Sequence, residues 1–114
     1  MRLIIAGSRY TTTFTEADLA RLEEIRPLVT EVVSGGAKGV DSLGEAWAKK
    51  HGIPVKRFPA QWGLHGRRAG PIRNRQMAEY ADAVVLFPGG RGTTNMHDEA
   101  VAAGIRVYDW RSGS

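Results

Sequence analysis

Ala83-Val84-Val85-Leu86-Phe87-Pro88-Gly89-Gly90-Arg91-Gly92-Thr93-Thr94 decides the fold. An apolar run of strand character enters a glycine-rich turn, and the turn opens a stretch that reads as helix. This is how an α/β sheet holds an anion: glycines let the backbone approach closely, their N–H groups point into the turn, and the positive end of a helix macrodipole faces the same spot. The pattern occurs three times. Gly7-Ser8-Arg9 follows Leu3-Ile4-Ile5-Ala6, and Ser34-Gly35-Gly36-Ala37-Lys38-Gly39 follows Val32-Val33.

Working outward, the chain alternates strand and helix. Runs at 3–6, 31–33, 55–58, 83–87 and 105–108 are short and nearly all apolar, as in a parallel sheet covered on both faces. Thr15 reads as a helix N-cap with Glu16 and Asp18 in the first turn, and Leu19, Leu22 and Ile25 supply an inner face. A second helix carries Val40, Leu43 and Trp47 inward and stops at His51-Gly52. Pro71 suits the first turn of a third, with Met77, Tyr80 and Ala81 as its buried stripe. A fourth runs from about Thr93 to Ala103 and ends at Gly104. Strict alternation predicts an α/β, Rossmann-like, open doubly wound parallel sheet of about five strands with helices on both faces. One domain is expected over residues 1–110, with a short solvated tail at 111–114.

Composition narrows the function classes. The 114 residues carry a formal net charge of +4, which favours anionic partners without naming one. The chain has no cysteine, which excludes disulfides, thiolate metal sites and thiol catalysis and fits a cytoplasmic setting. No apolar run approaches the ~18 residues of a membrane span, and the start lacks a secretion-signal pattern. His51, His65 and His97 show no metal-ligand spacing, so neither a metal nor a cofactor is expected.

In a doubly wound sheet every strand-to-helix turn lies along the C-terminal edge, so the three glycine-rich turns converge there. The basic stretch Arg67-Arg68-Ala69-Gly70-Pro71-Ile72-Arg73-Asn74-Arg75 leads into the third helix and reaches the same edge. Arg73 shares a helical face with Met77 and Tyr80, which sets it above the core at the crevice mouth. Arg67, Arg68 and Arg75 read as solvated or interfacial charge. Asp41 either favours its helix dipole or accepts a hydrogen bond from ribose or base. Lys38 either pairs with phosphate or solvates its loop. Trp47 reads as core, whereas Trp62 and Trp110 lie outside helical stripes and are free to stack on a base or line an interface.

Val33-Ser34-Gly35-Gly36-Ala37-Lys38-Gly39-Val40-Asp41, then Ala69-Gly70-Pro71-Ile72-Arg73-Asn74, then Pro88-Gly89-Gly90-Arg91-Gly92-Thr93, resembles the YspA, cpYpsA-related branch of the SLOG superfamily across nearly the whole chain. That superfamily includes the LOG or "lysine decarboxylase-like" phosphoribohydrolases of nucleoside monophosphates and the DNA-processing protein DprA. The resemblance implies a nucleotide or nucleotide-derived ligand at the glycine-rich crevice. LOG enzymes carry Pro-Gly-Gly-x-Gly-Thr-x-x-Glu with an arginine on the preceding helix. Pro88, Gly89, Gly90, Gly92 and Thr93 match, and Arg73 falls where the arginine would be. The glutamate position is Met96, whose thioether can neither donate nor accept the proton that N-glycosidic cleavage requires.

The expected site therefore comprises Gly7, Ser8, Arg9, Ser34, Gly35, Gly36, Lys38, Gly39, Asp41, Arg73, Asn74, Pro88, Gly89, Gly90, Arg91, Gly92 and Thr93. Backbone amides of 35–39 and 89–93 hold phosphate, Arg73 neutralises it, and Asp41 or Ser8 orients the sugar. The leading reading is binding for sensing or sequestration. The alternative is a divergent phosphoribohydrolase or N-glycosidase, with Arg73 orienting the substrate and Asp41 or Glu99 as the carboxylate. A third reading is DprA-like binding of single-stranded nucleic acid. A homo-oligomer is expected, with the loop at 60–66 as interface or lid.

Overall fold

The computed structural model describes residues 1–112. Gly113 and Ser114 of the expected tail lie outside the described residues. The elements are β1 (Arg2–Ala6), α1 (Glu16–Ile25), β2 (Glu31–Ser34), α2 (Val40–Lys50), β3 (Val55–Arg57), α3 (Trp62–His65), α4 (Ala69–Tyr80), β4 (Ala83–Leu86), α5 (Arg91–Ala103) and β5 (Arg106–Asp109). Among the described residues the strands form one sheet in the order β3-β2-β1-β4-β5, and every neighbouring pair is parallel. This is the expected Rossmann-like arrangement.

The period-2 alternation of a strand divides the core into two layers. Leu3 and Ile5 of β1, with Ala83 and Val85 of β4, point to the side covered by Leu22 and Ile25 of α1 and Val40, Trp47 and Ala48 of α2. Ile4 and Ala6, with Val84 and Leu86, point to the side covered by Met77 and Ala78 of α4 and Met96 and Ala100 of α5. The three inner strands β2, β1 and β4 are almost wholly buried, whereas the edge strands β3 and β5 are only partly covered.

Local chemistry explains the helix ends. Thr15 and Asp18 form a reciprocal capping box: Thr15 Oγ1 accepts from the Asp18 N–H at 3.1 Å, and Asp18 Oδ2 accepts from the Thr15 N–H at 3.0 Å. Gly104 closes α5 in the left-handed conformation.

Several details differ from expectation. Leu19 is 43% exposed, and Phe14, just ahead of the cap, packs against the same core cluster instead, its ring stacked on Phe87 with centroids 5.0 Å apart. On α2, Leu43 is half-buried, and the small Gly44 and Ala48 complete the buried stripe. A Cβ at Gly44 would lie 3.1 Å from Ile5 Cβ, so the missing side chain is what lets α2 lie close on β1. The loop at 60–66 contains the single helical turn α3, and a 3-10 turn at Gly66–Arg68 links it to α4. Among the described residues no helix is long and apolar enough to cross a membrane.

Candidate functional site

The strand order reverses between β1 and β4: the chain steps outward from β1 through β2 to β3, then returns to the other side of β1. Loops leaving two such strands diverge, and the crevice between them is where open α/β sheets bind ligands. Here the two loops are locked together by backbone contacts. The Ser8 N–H donates to the Pro88 carbonyl at 3.0 Å, and the Val40 N–H at the start of α2 donates to the Ser8 carbonyl at 2.9 Å. Glycine is required where the loops touch. Gly39 has φ +76°, and the space a Cβ would take is filled by backbone of Ser8 and Arg9. A Cβ at Gly89 would overlap the Thr93 hydroxyl and come within 2.9 Å of the Ser8 nitrogen.

Beside these contacts lies a cleft of about 370 Å³, lined from several elements by Ser8, Arg9 and Tyr10 after β1, Lys38 and Asp41 around the start of α2, Arg73 and Asn74 on α4, and Gly90, Arg91, Gly92 and Thr93 at the start of α5. Both α2 and α5 begin without a side-chain cap, leaving their N-terminal dipoles directed toward this edge.

Arg73 is the centre of the polar network. Its Nη1 donates to the Gly35 carbonyl at 2.7 Å and its Nε donates to Asn74 Oδ1 at 3.0 Å. Asn74 in turn donates to Asn95 Oδ1 at 2.9 Å and to the Gly92 carbonyl at 3.3 Å, so one pair of α4 residues holds the loop after β2 and the first turns of α5. Asp41 Oδ2 accepts from the Ala37 N–H at 3.2 Å. A Cβ at Gly35 would crowd both the Arg73 guanidinium and the Asp41 carboxylate. Burial holds the Asp41 carboxyl above the ordinary carboxylate range, against the opposing pull of the Ala37 N–H and the Arg73 charge. Burial likewise lowers Arg73, while Asp41 pulls it back up.

Of the residues expected from sequence, Gly7, Ser8, Arg9, Gly35, Lys38, Asp41, Arg73, Asn74, Gly90, Arg91, Gly92 and Thr93 line the cleft. Ser34, Gly36, Gly39, Pro88, Gly89 and Glu99 do not. Ser34 acts below the loop: its buried hydroxyl donates to Glu45 Oε2 at 2.6 Å and accepts from the Gly36 N–H at 3.0 Å. Glu45, which also accepts from Arg57 Nε at 3.1 Å, was not legible as a site residue because its partners come from β2 and β3. Met96 is buried in the same apolar cluster as Met77 and still borders the cleft, so the position of the LOG glutamate is apolar floor. Ala6, Tyr10, Ala37 and Met77 also line the cleft without having been expected there, and of these Tyr10 carries the polar aromatic group. It is 83% exposed at the cleft rim, where its N–H donates to Ser8 Oγ at 3.0 Å; an aromatic next to Gly7-Ser8-Arg9 was the available signal. Trp110 packs its ring edge-on to Phe87, centroids 5.5 Å apart, outside this cleft. Trp62 is exposed on α3 near Gly70.

Comparison with known proteins agrees with this architecture. Residues 1–65 match the family described as YspA, cpYpsA-related SLOG family. The Gene 61 protein of Mycobacterium phage D29 is 36% identical over 119 residues, covering 96% of this chain and 95% of that protein. DNA processing protein A (DprA) from Streptococcus pneumoniae superposes with a TM-score of 0.72 at 18% identity, over 95% of this chain and 49% of DprA. This chain thus spans about half of DprA's length. TM1055 superposes with a TM-score of 0.68 at 18% identity, over 93% of this chain and 71% of that structure. At such identities these two structures speak for the fold.

Proposed function

The chain belongs to the YspA, cpYpsA-related SLOG family, and from that premise we propose that it binds a nucleotide or nucleotide-derived ligand in the cleft between β1 and β4, sensing or sequestering it. The family and the fold support a nucleotide-related or nucleic-acid-binding role in general. The observation that carries the finer reading is Arg73: a half-buried guanidinium, fixed by Gly35 and Asn74, at a cleft bordered by the first turns of α2 and α5, neither of which has a side-chain cap. Hydrogen-bond donors fixed before the ligand arrives lose little entropy on binding, which favours a phosphate there over bulk solvent. Asp41, across Gly35 from Arg73, is the acceptor for a ribose hydroxyl.

Binding without turnover is the preferred reading because Met96 presents a thioether where LOG enzymes carry a carboxylate. Glu99 lies outside the cleft lining, which leaves Asp41 as the carboxylate through which hydrolysis would have to run.

The test is mass spectrometry of small molecules released by heating purified protein, together with protein incubated with nucleoside mono- and diphosphates. An intact nucleotide retained by wild type and lost from Arg73→Ala is the expected result. Free base and ribose phosphate accumulating with turnover would replace this reading with hydrolysis. If no nucleotide is retained, single-stranded nucleic acid becomes the ligand to examine, with salt dependence as its signature. Self-association through α3, where Trp62 and Leu64 are 58% and 72% exposed, belongs to the same proposal. Sedimentation of Trp62→Ala as a smaller species than wild type supports it, and identical sedimentation removes it.

A further inference from the structure

Cations without a salt-bridged carboxylate among the described residues also occur elsewhere on the surface, at Lys49, Lys50, Arg67 and Arg68; what sets the cleft apart is that several of them line one cavity from different segments of the chain. Arg26, Arg57, Arg75 and Arg111 each pair with a carboxylate of this chain. Arg9, Lys38 and Arg91, all exposed and all lining the cleft, engage no side-chain partner among the described residues. Arg73 adds a fourth cation, and Asp41 is the one carboxylate in the lining. The counter-charge to this surplus must come from salt or from a ligand.

We infer that the ligand carries a chain of two or more phosphates, a nucleoside di- or triphosphate in preference to a monophosphate; this rests on the nucleotide-binding reading above. Four cations against one carboxylate leave a formal surplus of three, to which each helix N-terminus adds roughly half a charge. A phosphate monoester brings only about −1.5 to −2 at neutral pH, and each further phosphate adds roughly one more charge. A monophosphate therefore leaves about half the positive charge uncompensated, whereas a tri- or diphosphate meets it. The sources of the cations point the same way. They stand on the loops after β1 and β2, on α4 and at the start of α5, so they ring the cleft instead of converging from one element. A phosphate chain lying across the ring meets cations that a single phosphate held at Arg73 leaves to solvent. Tyr10, at the rim beside Arg9, offers a ring face for the base and separates a nucleotide from an inorganic polyphosphate.

Titration calorimetry of the full chain with AMP, ADP, ATP and inorganic tripolyphosphate, at one ionic strength and without divalent metal, tests the inference. Affinity is expected to rise roughly tenfold for each phosphate added to adenosine, the size of one hydrogen bond to a charged group. Arg9→Ala/Arg91→Ala reduces the ATP-to-AMP ratio at least tenfold, whereas Lys50→Ala, at the far end of α2, keeps the wild-type ratio. Tyr10→Ala weakens ATP several-fold and leaves tripolyphosphate within about twofold. AMP binding as tightly as ATP overturns the inference and leaves the nucleotide-binding reading standing. Absence of binding by all four probes at millimolar concentration overturns both. A dephosphorylated oligothymidine that outcompetes ATP at the same salt overturns the inference in favour of a nucleic-acid backbone.

Discussion

Arg73 on α4 donates from Nη1 to the carbonyl oxygen of Gly35, 2.7 Å away in space and 38 residues earlier in the chain. That bond ties the loop after β2 to the helix on the opposite face of the sheet. It also holds the guanidinium at the cleft before any ligand arrives. Arg73→Lys keeps the charge but cannot reach both Gly35 and Asn74, because an ammonium lacks the planar fork. We expect both Arg73→Lys and Arg73→Ala to lose at least tenfold in nucleotide affinity, with the alanine variant also losing about 1–3 kcal/mol of stability from the unsatisfied Gly35 carbonyl. Titration calorimetry and urea unfolding check the two effects separately; wild-type affinity in Arg73→Lys would show that charge alone suffices.

Two glycines of similar appearance in sequence have different physical duties. Gly39 combines φ +76° with backbone of Ser8 and Arg9 in the place of a Cβ, so Gly39→Ala must move the loop and is expected to cost at least about 2 kcal/mol. Gly90 has nothing within 4 Å of its would-be Cβ, and its φ is −101°. Gly90→Ala is therefore expected to unfold within about 0.5 kcal/mol of wild type. A methyl there faces the cleft, so its effect should appear in ligand affinity. Equal unfolding midpoints for the two variants would contradict the backbone account.

Two aspartates give pH dependences of opposite sign. Burial holds the Asp41 carboxyl above its ordinary 3.8, so the folded chain binds that proton more tightly than the unfolded chain does. Its contribution to stability is fully present below 3.8 and is lost as pH rises through the raised folded value. The hydrogen bond from Arg111 holds Asp109 down at about 2, so its contribution is present above 3.8 and is lost as pH falls through about 2. Urea midpoints between pH 2 and 7 should show wild type declining relative to Asp41→Asn as pH rises. Against Asp109→Asn the gap should instead close as pH falls. Asp109 is exposed, so its effect should be small and salt-sensitive.

Met96→Glu restores the LOG residue type at a buried position. Its side chain would lose the packing of Met96 in its apolar cluster and place a carboxylate among apolar neighbours, a change expected to cost about 2–4 kcal/mol at pH 7. The loss should shrink near pH 4, where the acid is protonated. A variant as stable as wild type at both pH values would mean that the side chain escapes into the cleft, and base release from nucleoside monophosphates should then be assayed.

Sequence by itself determined the alternation of the five strands with the four longer helices, though not the short α3, and with it the parallel sheet and the edge at which the glycine-rich turns gather. These follow from short-range physics: apolar runs of strand length, the caps Thr15 and Gly104, and the geometric rule that strand-to-helix turns share one end of the sheet. Tertiary structure decided which residues at that edge line the cleft. Gly39 and Gly89 stand where two loops touch and a Cβ would meet neighbouring atoms, whereas Gly90 and Gly92 line the open cleft. Ser34 lies in the glycine-rich motif yet is buried on Glu45, and Tyr10 lies outside every motif yet stands at the rim. These distinctions depend on contacts between segments far apart in the chain, Gly35 with Arg73 and Ser8 with Pro88, and no local pattern encodes where such segments meet.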